Sequence, residues 1–206
     1  AAGVSQPTVS RALAGVQYDR SVVRLDRSQH SFKLSFDAFY ARRVSGGLIA
    51  QGRSRIRQHR AMLDRMEQQF GVPAEIVVAI WGLETNYGAL KGQQRSIVQS
   101  LATLAYDCRR PHFFEPQLVA ALKIIDRGDM SAEQLRGGWA GEIGQTQFLP
   151  TPYVKYAVDF DGDGRRDIWH SVPDALASAA KQLAEKGWQP GKNWAYEVRV
   201  PKGVDC

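Results

Sequence analysis

The sequence predicts a mainly α-helical chain with one short strand near its C-terminus. Two observations carry this. Apolar residues recur at three- and four-residue steps through successive segments, and glycine or proline closes nearly every such run. Alternation of the kind a strand needs is confined to 194-WAYEVRVP-201. At 206 residues and 44% hydrophobic, the chain is long enough to bury one sizeable core. No internal repeat or flexible linker divides it, so residues 1–206 read as one domain, with a helical N-terminal part over 1–70 and a core over 71–200.

In order along the chain, 5-SQPTVSRALAG-15 reads as a short helix closed by Gly15. The pattern turns helical from Phe36 to Phe70. In 56-IRQHRAMLDRMEQQFG-71, Ile56, Met62, Leu63, Met66 and Phe70 mark the apolar stripe and Gly71 ends it. Pro73 then suits the first turn of the next helix, where a missing N–H costs nothing. That helix carries Ile76, Ile80, Leu83 and Tyr87 on one row, with Val77, Trp81 and Glu84 on the adjacent one. Further helices are predicted over 96–106, over 113–128 with Pro116 early and Gly128 as stop, and over 173–188. Between them, 137-GGWAGEIGQTQFLPTPY-153 has four glycines and two prolines and reads as a structured loop with at most short helices.

Bulk properties exclude some classes. No run approaches the roughly 20 apolar residues of a membrane span, and no signal-peptide pattern opens the chain. The net charge of +6 is spread along the sequence, with clusters at 53-RSRIRQHR-60 and Arg109-Arg110. No nucleic-acid recognition motif accompanies it, so an anionic polymer or plain solvated faces explain it equally well. Cys108 and Cys206 have no CxxC partner, which argues against zinc. A single bridge between them, in an oxidising compartment, stays open.

Two features carry chemistry. Of the twelve residues from Val72 to Leu83 only Glu75 is charged, in the first turn, where an acid suits the helix dipole. Glu84 follows at the other end. It reads either as a helix-end acid paired with an arginine or as a desolvated carboxyl with a raised pKa, the form a general acid needs. Glycoside hydrolysis normally uses two carboxylates; Asp107 and Glu142 are candidate partners, and neither holds a fixed spacing to Glu84. The second feature is 159-DFDGDGRRDIW-169. Asp159, Asp161, Asp163 and Asp167 take positions 1, 3, 5 and 9 of an EF-hand-like loop over 159–170, with Gly164 at the sharp bend. Arg165, at position 7, would offer its backbone carbonyl. Position 12 is His170, not Glu, and Asp174 is the nearest replacement. A structural Ca2+ is the expectation; an acidic surface turn is the alternative, at the cost of four crowded carboxylates.

The strings 78-VAIWGLETNYG-88, 101-LATLAYDCRR-110, 139-WAGEIGQTQFLPTPY-153 and 157-AVDFDGDGRRDIW-169 together resemble the lytic murein transglycosylase B family, in its order and spacing over nearly the whole chain. The resemblance implies an α+β lysozyme-like fold, a periplasmic or cell-envelope location and peptidoglycan glycan strands as partner. It implies cleavage of the β-1,4 bond between N-acetylmuramic acid and N-acetylglucosamine without water, leaving a 1,6-anhydro end. Glu84 matches the family's single catalytic acid, and the substrate's N-acetyl group would replace a second carboxylate. Asn86, Tyr87, Gln145, Gln147, Phe148 and Tyr153 match its glycan-binding positions, and Arg109 and Arg110 match positions near the peptide-bearing part of the glycan. The Asp-rich loop matches its calcium site.

Three departures stand out. The family often has serine where this chain has Gly138, alanine where it has Glu142, and further substrate-binding sequence after the point where 201-PKGVDC-206 ends. Two other readings remain beside the lytic one: a hydrolytic muramidase, and a non-catalytic protein that binds peptidoglycan or scaffolds partners on it.

Overall fold

The computed structural model describes residues 3–28, 34–89, 94–199 and 203. The elements in order are α1 Gln6–Leu13, α2 Arg20–Arg27, α3 Phe36–Arg43, α4 Gly46–Gln58, α5 Arg60–Phe70, α6 Ala74–Thr85, β1 Arg95–Ser96, α7 Ile97–Tyr106, α8 Pro111–Asp126, β2 Arg136–Gly137, α9 Pro150–Tyr156 and α10 Val172–Glu185. Their starts follow the chemistry of the N-cap. Ser35, Ser45, Ser96 and Ser171 each accept a backbone N–H of the first turn through the side chain, as does Asp19 before α2. Gly71, at φ 70°, ends α5 in the left-handed conformation that glycine takes without penalty.

The 36–70 stretch breaks into three helices because a fresh serine cap interrupts it at Ser45 and the chain turns again at His59. Over its described residues, 194–199, the strand expected over 194–201 does not form. Residues 194–199 run as irregular chain with Trp194, Tyr196 and Val198 at 79%, 68% and 74% exposed, and 200–201 lie outside the described residues. Alternation needs an edge to pair with. Among the described residues two strands form, β1 and β2, and they pair in antiparallel register, Arg95 opposite Gly137 and Ser96 opposite Arg136.

Two apolar clusters fill the interior. One gathers Val22, Ile97, Leu101, Leu104, Phe114, Ile124, Leu135, Ile143 and Ile168 between α2, α7, α8 and the segments around α9. The other gathers Leu63, Met66, Val72, Val77, Val78, Trp81 and Tyr87 between α4, α5 and α6. Helix α10 belongs to both. Ala175 and Ala179 face the first cluster, while Leu176, Ala177 and Ala180 face the second. All seven residues from Asp174 to Ala180 are buried, and the small alanines let neighbouring helices approach on either side.

A buried acid ties α2 to the turn after α7. Asp26, 3% exposed, receives the guanidinium groups of both Arg109 and Arg110, the former at 2.6 Å. Asp107 alongside accepts the Arg27 guanidinium at 2.9 Å and the Arg109 N–H at 3.1 Å. Cys108 lies exposed in this turn. Cys206 is outside the described residues, and so is the bridge expected between them.

Candidate active site

Helix α6 supplies the acid. It buries Val77, Val78, Trp81, Gly82 and Thr85 on one side, which leaves Glu84 exposed at its last turn. The chain then leaves by an unusual route. Asn86 and Tyr87 both take positive φ, 49° and 59°, and Gly88 follows at 78°. Two consecutive non-glycine residues there cost free energy, on the order of 1–2 kcal/mol each. The cost is offset locally: Asn86 N–H donates to Gly82 C=O and Tyr87 N–H to Trp81 C=O. The Tyr87 ring folds back beneath the helix, and its hydroxyl donates to Leu48 C=O at 2.8 Å. Gly52 and Gly82 form the slot it enters, since a Cβ on either would lie 2.6 Å from the Tyr87 hydroxyl.

The opposite wall is the glycine-rich loop after β2. Gly138 N–H donates to Glu142 C=O at 2.7 Å, and Ile143 and Phe148 exchange two backbone hydrogen bonds across a narrow turn. Gln145 pins this wall to α6. Its Oε1 accepts the Trp81 indole N–H at 2.9 Å, its Nε2 donates to Trp169 C=O at 3.1 Å, and its own carbonyl accepts the Thr85 hydroxyl at 2.7 Å. Between the walls lies a cleft of about 210 Å³. Glu84, Thr85 and Gly88 line one side, and Gly137, Gly138, Gln145, Gln147 and Trp169 the other.

The electrostatics of Glu84 suit proton donation. Partial burial pushes its carboxyl above the ordinary value; Arg43 opposes this and Glu142 adds to it. The C-terminal end of the α6 dipole also disfavours a negative charge. Arg43 is fixed nearby, its guanidinium donating to Leu83 C=O at 2.6 Å.

Of the residues singled out in the sequence, Glu84, Gln145 and Gln147 meet at the cleft. Asn86 is exposed just beyond α6. Gln147 donates through Nε2 to Gly144 C=O, and Gln145 is committed to the protein at both ends of its amide. Five others are placed differently. Tyr87, Phe148 and Tyr153 are 7%, 5% and 1% exposed and pack in the two cores. Stacking on a sugar requires an open ring face, and none of the three offers one. Tyr153 instead donates its hydroxyl to Arg166 C=O. Arg109 and Arg110 are held by buried Asp26, whose charge needs them. Sequence reasoning did not single out Thr85, Trp169 or Arg43. The spacing of Thr85 beside Glu84 is the one signal that could have found any of them.

In the Asp-rich loop the side-chain oxygens of Asp159, Asp161 and Asp174 lie within 4.8 Å of one another. Asp174 is fully buried and organises the loop: it accepts the N–H groups of Phe160, Asp161 and Asp167. Asp163 and Asp167 stand outside this convergence. Asp163 accepts the Arg165 N–H, and Asp167 turns to the backbone of Trp169 and the ring of His170. Arg165 is exposed beside them.

The model of a family described as Transglycosylase SLT domain matches residues 1–206. The membrane-bound lytic murein transglycosylase B of Escherichia coli (strain K12) is 39% identical over 135 residues, which cover 65% of this chain and 37% of that protein. The crystal structure of SltB3 from Pseudomonas aeruginosa in complex with NAG-NAM-pentapeptide superposes with a TM-score of 0.84 at 46% identity, covering 98% of this chain and 54% of that one. The Escherichia coli lytic transglycosylase SLT35 in complex with calcium gives 0.80 at 30% identity, covering 93% and 61%. The chain therefore spans little more than a third of the curated relative and about half to three fifths of the solved ones.

Proposed function

The chain belongs to the transglycosylase SLT domain family, and on that premise we propose that it is a lytic transglycosylase of peptidoglycan in the bacterial cell envelope. The observation that carries the reading is Glu84: a single carboxyl lining the cleft, with its pKa raised, opposite a wall of backbone and amide groups. A protonated Glu84 donates to the oxygen bridging N-acetylmuramic acid and N-acetylglucosamine, and the C1–O bond breaks. The resulting carboxylate then takes the proton of the muramic C6 hydroxyl as that oxygen bonds C1. The acid is regenerated, the product carries a 1,6-anhydro ring, and no water is consumed. The acetamido group of the substrate supports the positive charge at C1, so the cleft needs no second carboxylate on its floor. Asn86 and Gln147 read the glycan at the rim. Residues 1–206 act as one unit, and no described helix is long and apolar enough to cross a membrane.

The test is the mass of the products. Purified peptidoglycan digested with the protein should release muropeptides with anhydro ends. Glu84→Gln should release them about 10²–10⁴-fold more slowly. Products heavier by one water would make the enzyme a muramidase. Equal release by parent and variant would leave a glycan-binding protein.

The same proposal places a structural calcium ion in the Asp-rich loop. Three carboxylates with oxygens within 4.8 Å are a hard-donor set that suits it, and one solved neighbour is a calcium complex. Asp159, Asp161 and Asp174 would hold the ion, whose charge would offset their repulsion and pin the loop that carries Trp169 to the cleft. Chelator should lower the melting temperature and calcium restore it, with about 2.7 kcal/mol recovered at a hundredfold excess over Kd. Asp159→Asn should blunt that response. A melting temperature indifferent to chelator would remove the ion from the loop.

A further inference from the structure

We propose that Glu142 is a positioning residue for Glu84: its carboxylate fills the place of a side chain on residue 138 and from there sets a second negative charge against the cleft. The inference rests on the reading of Glu84 as proton donor. Gly138 lines the cleft together with Glu84. A Cβ on Gly138 would lie 2.2 Å from Glu142 Oε2, 3.1 Å from its Cδ and 3.2 Å from its Cβ. The absent side chain at 138 and the carboxylate at 142 thus compete for one space, and the carboxylate occupies it.

That carboxylate is held in place. Oε2 accepts the Ala140 N–H at 3.0 Å, and the Gly138 N–H to Glu142 C=O bond closes the same turn at 2.7 Å. Among the described residues no protein donor meets Oε1 and no cation pairs with Glu142. The charges acting on Glu84 come from two elements. Arg43, at the end of α3, favours the carboxylate; Glu142, from the loop wall, favours the acid, in the same direction as burial. A group that must first give a proton and then recover one works best when its pKa lies near the working pH. Glu142 works against the pull of Arg43 and, together with burial, holds the Glu84 carboxyl above its ordinary value.

The experiment follows the Glu84 carboxyl directly, by 13C NMR titration of the parent, Glu142→Gln, Gly138→Ser and the double variant. Glutamine keeps the shape and the acceptor for Ala140 N–H and removes only the charge. The Glu84 midpoint should move down in Glu142→Gln. It should also move down in Gly138→Ser, where the new side chain expels the carboxylate, and the double variant should fall no further than Glu142→Gln. In peptidoglycan digestion the alkaline limb of the kcat profile should shift to lower pH by the same amount, with KM little changed. A Glu142→Gln midpoint equal to that of the parent would make Glu142 a buckle of the loop and overturn the proposal. The titration needs no turnover, so a failure of the lytic reading shows separately, in product masses. Should Gly138→Ser fail to fold, Glu142→Gln alone decides.

Discussion

The two walls of the cleft hold their residues by different means. The α6 wall is regular: once the helix forms, its 3.6-residue period sets Glu84 at the edge of the buried row headed by Val77 and Trp81. The wall after β2 has no period. Its positions depend on single backbone hydrogen bonds, on the Gln145 amide and on glycines that leave room for groups arriving from elsewhere. Damage to the first wall should therefore spread through the core, whereas damage to the second should stay near the cleft.

Gly82→Ala gives the largest expected effect on the helical wall. The added methyl meets the Tyr87 ring at 2.6 Å, and overpacking of this kind costs about 3 kcal/mol. Chemical denaturation should show a lower midpoint, and Gly82→Ala with Tyr87→Phe should recover part of it. A neutral Gly82→Ala would mean that Tyr87 leaves its slot freely. Gln145→Ala is the matching test of the loop wall. It strands the Trp81 indole N–H and frees Trp169 C=O, at about 2 kcal/mol. Hydrogen exchange should rise in 137–148 and 168–170 while α6 stays protected. Equal loosening of both walls would erase the distinction between them.

The smallest effect concerns Glu84 itself. Its folded carboxyl holds a proton to higher pH than its unfolded one. As pH rises between those two values the unfolded chain releases its proton first, and folding loses stability. Glu84→Gln escapes that loss. The variant should be at least as stable as the parent near neutral pH, and its advantage should vanish below the unfolded value of about 4.5. Thermal melts across that range check it. A variant less stable than the parent at neutral pH would mean that Glu84 gains more from Arg43 than it loses by burial.

The same contrast explains what was legible in the sequence. Glu84 could be found because a helix reports on its residues through spacing, and α5, α6, α7 and α10 stand close to where periodicity and Gly/Pro punctuation put them. The placement of Tyr87, Phe148 and Tyr153 could not be read the same way. An aromatic beside a cleft and an aromatic in a core look alike until the backbone direction is known, and for Tyr87 that direction hangs on two positive φ values. The pairing of Arg109 and Arg110 with Asp26 could not be read either, because Asp26 lies more than eighty residues away. The Asp-rich loop was half legible. The spacing put Asp159 and Asp161 in one loop and pointed to Asp174 after position 12, and the side-chain oxygens of these three converge; that Asp163 and Asp167 stand outside the convergence depends on the local turns, which spacing does not report. The Gly138–Glu142 exchange appeared in the sequence as two unrelated departures. It takes the closed turn to show that they are one.

Helix α10 has a consequence for the molecule as a whole. Its alanines serve two cores at once, so neither half possesses a foundation of its own. To slide one half against the other would mean tearing the same strut from both. The amides near Ala177 should be among the last in the chain to surrender their hydrogens to the solvent.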